Sequence, residues 1–165
     1  FGELLAQGDT DEAKHIVIVF LRRFGCGASL LTAKRVRRLA PLLAERHIPT
    51  LAIGAAAYGY GDFLRRYWPA DWPVYIDPAG ATFDAFGFKR IGFSNAIGLM
   101  SPQLVKATKA LIKSLCRAEN FHGEWHHLGG VVVLDAADHG RVSYLRREEY
   151  AGDVPDLEKI IKALI

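Results

Sequence analysis

One uninterrupted apolar run constrains this chain more than any other feature. The run IVIVFL, from Ile16 to Leu21, is rich in β-branched and aromatic residues, which is the composition of a strand buried on both faces. We therefore predict that it lies in the centre of a sheet. The run is far shorter than the roughly 18 residues that a bilayer span requires, so we expect a soluble protein with no membrane partner.

Strand and helix patterns alternate after this run. Glycines flank Cys26, and apolar residues then recur at helical spacing, which predicts one amphipathic helix of about five turns ending near Arg46. Thr50–Gly54 and Val74–Asp77 follow as two further buried strands. A strand, helix, strand order with short joints is typical of a parallel sheet.

The rest of the chain changes pattern. We predict helices at Asp62–Tyr67, Ala79–Phe86 and Pro102–Ala118, an antiparallel hairpin from Gly129–Leu134 and Val142–Leu145, and a last helix at Leu157–Ile165. The fold class is therefore α/β: a thioredoxin-like three-layer fold with a mixed central sheet, in which a βαβ half precedes a ββα half. We expect one domain over residues 1–165, with a helical insertion at about 92–128 between the halves.

Cys26 stands where the first strand gives way to its helix. A thiol at a helix N-terminus faces unpaired backbone N–H groups, which favour the thiolate. Arg22 and Arg23 precede it and add positive charge, although side-chain alternation allows only one of them to face the thiol. We predict a reactive thiol, and the alternative is that Cys26 is a small buried apolar residue.

Three segments carry a family resemblance. HIVIVFLRRFGCGAS at 15–29, PVYIDPAGATFDAFGF at 73–88 and LGGVVVLDAADHGRVSYLRREEYAGD at 128–153 resemble the peroxiredoxin-like, selenoprotein-U-like branch of the alkyl hydroperoxide reductase and thiol-specific antioxidant group. The resemblance covers essentially the whole chain. It implies a redox-active cysteine at Cys26, with Arg23 and Arg146 as catalytic candidates. Arg22 or Arg23, together with Arg146, would support the thiolate or an anionic substrate group. A solvated strand-end charge is the alternative for Arg146.

The chain departs from that pattern at three places. Ser29 replaces the second cysteine of C-x-x-C, and its hydroxyl can donate a hydrogen bond to Cys26 but cannot form a disulfide. Arg23 stands three residues before Cys26, where the peroxide-binding Thr is missing. His126-His127 precedes Leu128, where thioredoxins carry a cis-proline. A one-cysteine mechanism follows, and peroxidase activity cannot be assumed.

Other residues are candidates for binding or packing. We predict that the substrate-binding residues are Arg22, Phe24, Tyr58, Trp125, His126 and His127. For Cys116, core packing and a resolving role both stay open. Trp68 and Trp72 predict a satellite hydrophobic cluster or a ligand cradle. His122 and Glu124 lie in an irregular segment that does not ensure convergent ligands, so we predict no metal site and no cofactor.

Two functions remain. The first is a thiol-dependent oxidoreductase that reduces a peroxide and is itself reduced by an external thiol, glutathione or thioredoxin. The second is a recruited fold that binds and transforms a specific organic substrate. The net charge of +3 does not indicate a nucleic-acid partner. We expect a cytoplasmic protein, since the two cysteines form no disulfide framework, and a homodimer is an open arrangement.

Overall fold

The apolar run forms the middle strand of a five-stranded sheet. The computed structural model describes residues 14–90, 127–150 and 153–165. The strands are β1 (His15–Leu21), β2 (Thr50–Gly54), β3 (Val74–Ile76), β4 (Gly130–Asp135) and β5 (Arg141–Arg147), in the order β3-β2-β1-β4-β5. The predicted central position of the run is confirmed, because β1 has two neighbours on either side.

The strand directions bring several element ends to one edge of the sheet. β1 pairs in parallel with β2, where Leu21 faces Gly54. β1 pairs antiparallel with β4, where Phe20 faces Gly130. The C-terminal ends of β1 and β2 and the start of β4 therefore lie at the same end of the strands. Cys26 follows β1 at this end.

Helices cover both faces of the sheet. They are α1 (Gly27–Arg37), α2 (Ala40–Glu45), α3 (Tyr60–Arg66), α4 (Ala81–Ala85) and α5 (Leu157–Lys162). Four of them, α1, α2, α3 and α5, bury apolar side chains in one cluster, against alternate residues of β1 that include Val17 and Val19. Phe83 of α4 packs on the opposite face with Ile18 and Phe20. This mixed sheet between two helical layers is the thioredoxin-like α/β arrangement that the sequence predicts.

The predicted five-turn helix after Cys26 is wrong, because two helices stand in its place. The backbone N–H groups of Arg38 and Leu39 turn back to the carbonyls of Arg35 and Val36, at 3.0 and 2.9 Å, and these bonds close α1. Pro41 then lies in the first turn of α2, where its missing N–H costs nothing. The apolar periodicity continues across the break, which is why it predicts one helix.

Two other expectations about burial are wrong. β3 is not a buried strand, since Tyr75 is 44% and Ile76 40% exposed. Among the described strands β3 is an outermost one and pairs only with β2. Trp68 and Trp72 do not form a satellite cluster. They belong to the main hydrophobic cluster, where the Trp68 indole N–H donates to the Trp72 carbonyl at 3.1 Å.

The C-terminal half agrees with its prediction. β4 and β5 form the antiparallel hairpin, with His139 and Gly140 at positive φ in its turn. The Asp156 side chain accepts from the Glu158 N–H at 3.0 Å and caps α5. The helix predicted at 102–118 and all of the insertion but residues 127 and 128 lie outside the described residues. Across the described ranges, no helix is long and apolar enough to cross a membrane.

Candidate active site

Cys26 is the N-cap residue of α1. Its backbone is extended, with φ −75° and ψ 128°, and its carbonyl accepts the first helical hydrogen bond, from the Leu30 N–H at 2.9 Å. The side chain is partly exposed. Backbone N–H groups of Ala28 and Ser29 point at the sulfur, as expected for the unpaired donors at a helix N-terminus. An anion at this sulfur is therefore favoured by the helix that follows it.

Arg22 makes a direct charged contact with Cys26. Its Nη2 donates to the Cys26 Sγ at 3.0 Å. Arg22 directly follows the last residue of β1 and is itself buried, with 7% of the residue exposed. A buried guanidinium requires a nearby anion, so this arrangement favours the thiolate form of Cys26.

Opposing effects act on the pKa of Cys26, and the net result is a lowered pKa. Burial is the largest single effect and would raise the pKa. The Arg22 charge, the N–H groups of Ser29 and Ala28, and the weaker effect of the Arg23 charge together outweigh it. Cys26 therefore loses its proton at a lower pH than an ordinary cysteine does.

The roles of the two neighbouring arginines differ from the prediction. Arg23, predicted to be catalytic, is partly exposed and affects the pKa of Cys26 least among these groups. Arg22, predicted to bind substrate, contacts the sulfur instead. Ser29 interacts with Cys26 through its backbone N–H. The residue is buried, with only 2% exposed.

The loop after β2 packs against the Cys26 loop. Gly59 has φ +79°, and a Cβ placed there would lie 2.9 Å from the Gly25 backbone nitrogen. Tyr58, which precedes it, is partly exposed and therefore lies beside the loop that carries Cys26. Phe24 does not match its predicted role as a substrate contact. It is 1% exposed and fills the space above Gly54, where a Cβ would lie 2.3 Å from its ring.

Glu148 is a buried acid that the sequence analysis does not identify. It is 3% exposed and continues the β4–β5 pairing: its N–H donates to the Gly129 carbonyl at 2.9 Å, and its Oε2 accepts from the Gly129 N–H at 3.1 Å. Burial raises the pKa of Glu148 to about 7, although the Arg22 charge and the Gly129 N–H oppose the increase. Arg22 therefore acts on both Cys26 and Glu148.

The alternation of side chains along β5 could have identified Glu148 from the sequence. Glu148 lies two positions after Arg146, so both side chains project from the same face of the strand. The predicted strand ends at Leu145, three residues before Glu148, whereas β5 continues to Arg147. A strand predicted three residues longer would have included Glu148 and placed it on the same face as Arg146, whose β4 partner Val131 packs in the cluster with α1.

Arg146 is paired with a carboxylate rather than with the thiol. Its Nη2 donates to both carboxylate oxygens of Asp153. Burial opposes the charge on Arg146, but the Asp153 pairing outweighs burial and raises the pKa of the guanidinium. The predicted support of the Cys26 thiolate by Arg146 is replaced by this ion pair, and Arg146 acts instead on its strand neighbour Glu148.

His127 packs on the other face of the sheet. It is 7% exposed, and its ring lies against Phe83 of α4 with the centroids 5.2 Å apart. Its Nε2 lies 3.5 Å from an Asp84 carboxylate oxygen, and a Cβ on Gly80 would lie 2.4 Å from its Cε1. Since α1 and α4 cover opposite faces, His127 is not brought to the Cys26 side as predicted.

The remaining candidates lie outside the described residues. These are Trp125 and His126, the candidate resolving thiol Cys116, and the potential ligands His122 and Glu124. Within residues 14–90, 127–150 and 153–165, no group of three His, Cys, Asp or Glu side chains is placed to hold a metal ion.

Comparison with known proteins decides the family. The sequence model of the AhpC/TSA antioxidant enzymes matches residues 35–150. The chain belongs to the AhpC/TSA antioxidant enzyme family. As a member of this family it is a peroxiredoxin-like protein of the thioredoxin superfamily. The matched range begins after Cys26.

Curated relatives carry a more specific name. The chain is 30% identical to a prostamide/prostaglandin F synthase of Danio rerio, with 99% of this chain and 80% of the relative covered. It is 28% identical to the protein of that name from Salmo salar, covering 92% and 74%. It is 26% identical to the one from Bos taurus, covering 99% and 80%. These relatives are named for transforming a small organic substrate.

Solved structures similar to this chain come from two Bacteroides species. A thioredoxin-like protein from Bacteroides caccae matches with a TM-score of 0.42 and 13% identity, covering 93% of this chain and 40% of that one. A conserved protein of unknown function from Bacteroides fragilis matches with a TM-score of 0.44 and 13% identity, covering 93% and 82%.

Proposed function

We propose that this AhpC/TSA family member is a thiol-dependent oxidoreductase in which Cys26 is the single nucleophile. The observation that carries the proposal is the 3.0 Å contact between Arg22 Nη2 and Cys26 Sγ at the N-terminus of α1. A thiolate held by a buried cation and helix N–H groups is the reactive form of cysteine.

The reaction begins with attack on a peroxide. The thiolate attacks one oxygen of R–O–O–H, the O–O bond breaks, and an S–O bond forms. The sulfur loses two electrons and becomes a sulfenic acid, while the leaving alkoxide takes up a proton and becomes an alcohol. Arg22 lies where it can stabilise the negative charge on either side of this step.

An external thiol completes the cycle. A first thiol condenses with the sulfenic acid, releasing water and forming a mixed disulfide, and a second thiol reduces that disulfide. Ser29 cannot serve as the internal partner. We propose glutathione or a thioredoxin as the reductant, which matches a reducing, cytoplasmic location.

We propose a small organic peroxide as the substrate, because the curated relatives are named for prostamide and prostaglandin transformation. The recruited-fold alternative draws on the same names. It keeps the organic substrate but does not require the chemistry of the thiol.

Mass spectrometry and a turnover assay test the proposal. Wild-type protein treated with sub-stoichiometric organic hydroperoxide should gain one oxygen at Cys26, and a nucleophile specific for sulfenic acids should trap it. The Cys26→Ser variant should fold, since serine replaces sulfur with a group of similar size, and should lose turnover with both reductants. Retained turnover in a folded Cys26→Ser variant would contradict thiol catalysis and favour the recruited fold.

A further inference from the structure

We propose that Glu148 is a positioning residue that shares Arg22 with Cys26, so that the site keeps one negative charge on either the sulfur or the carboxylate. The proposal rests on the proposed function in one respect: it treats Cys26 as the reacting anion. It adds a residue and a charge coupling that the catalytic proposal does not require.

The need for one anion follows from the burial of Arg22. The guanidinium is charged at every physiological pH, and only 7% of the residue is exposed. If Cys26 were a thiol and Glu148 a neutral acid, this buried cation would have no anionic partner among residues 14–90, 127–150 and 153–165, which is costly. At least one of the two acids is therefore ionised in the folded protein.

A second anion is disfavoured for a related reason. Arg22 has one positive charge, and two anions beside it repel each other. The other charged groups that act on Glu148 within the described residues are Arg146 and Asp153, which largely offset each other because they form an ion pair. Glu148 is also held by the Gly129 N–H, which keeps its carboxyl group fixed.

The two acids thus titrate as a coupled pair. The pKa of Glu148 is raised to about 7 and the pKa of Cys26 is lowered, so the two ionisations are brought closer together. When the Cys26 thiolate is converted to a neutral sulfenic acid, Glu148 becomes the anion that Arg22 requires and gives up its proton. That proton balances the one taken up by the leaving alkoxide, and the reverse exchange follows when the thiol is regenerated.

Carbon NMR of protein with labelled glutamate carboxyl groups tests this coupling without any peroxide. The Glu148 signal, assigned by its loss in Glu148→Gln, is titrated in wild-type protein, in Cys26→Ser, and in wild-type protein whose sulfur carries the neutral iodoacetamide adduct. We expect the proton dissociation constant of Glu148 to increase about tenfold in both forms in which the sulfur cannot be charged. An unchanged constant in both would overturn the proposal.

The pH profile of Cys26 alkylation gives the reciprocal measurement. Glu148→Gln keeps an oxygen acceptor for the Gly129 N–H but removes the charge, so its thiolate should persist to lower pH than in wild type. Glu148→Asp keeps the charge, so its alkylation profile should move back towards the wild-type pH range. Identical profiles in wild type and a folded Glu148→Gln would contradict the coupling. If Cys26 and Glu148 are coupled but the protein does not turn over peroxide, the catalytic proposal is rejected and the coupling stands.

Discussion

Replacing Arg22 by Met is the most direct test of what makes Cys26 reactive. Methionine has a similar unbranched stem but no charge and no donor, so it fills the buried position while removing the contact with Sγ at 3.0 Å and the charge that also acts on Glu148. A hydrogen bond between charged groups contributes about 1.5–3 kcal/mol. Since about 1.4 kcal/mol corresponds to a tenfold change in an ionisation constant, the thiolate population below the pKa should fall about 10- to 100-fold.

The assay is the rate of iodoacetamide alkylation across a pH range that spans neutrality. In Arg22→Met the burial of Cys26 is no longer opposed by its strongest favourable charge, so the profile should move to higher pH. Arg23→Met is the matched control, because it removes the neighbouring arginine, whose effect on Cys26 is smaller. Arg22→Lys keeps the charge and should fall between Arg22→Met and wild type. The reasoning is refuted if Arg22→Met and Arg23→Met shift the profile equally while both remain folded.

Two further predictions concern stability. Glu148 has a folded-state pKa of about 7 against an ordinary 4.5, so its contribution to stability is present below pH 4.5 and lost as the pH rises through 7. In urea unfolding, the free energy of unfolding of wild type relative to Glu148→Gln should decrease by about 3 kcal/mol over that window, and a flat difference would contradict the raised pKa. Gly80→Ala should destabilise the fold by about 1–3 kcal/mol, because Gly80 has φ +69° and its added Cβ would meet the His127 ring. Adding His127→Ala should recover about 1 kcal/mol of that loss in a double-mutant cycle, whereas purely additive effects would mean that backbone strain alone is responsible.

Local patterns predicted the sheet well because its strands are strongly apolar. β1, β2 and the β4–β5 hairpin lie within a residue or two of their predicted ranges. The predictions fail where the spacing of apolar residues does not show where an element lies in the sheet or where a helix ends. The edge strand β3 has the same apolar composition as a central strand, and the break near Leu39 does not interrupt the apolar spacing that runs from α1 into α2.

The residues of the candidate active site likewise fall into those that the sequence predicts and those that only the tertiary structure identifies. The sequence by itself determined that Cys26 follows the central strand at the mouth of a helix, because hydrophobic periodicity and glycine punctuation are local properties. Only the tertiary structure decided which arginine touches the sulfur, that Arg146 pairs with Asp153, and that Glu148 is buried within reach of the Arg22 charge. The first two depend on how short segments turn after their strands, which apolar periodicity does not report. The third depends on residues more than a hundred positions apart in the chain that the sheet brings together, and electrostatic interactions follow distance in space.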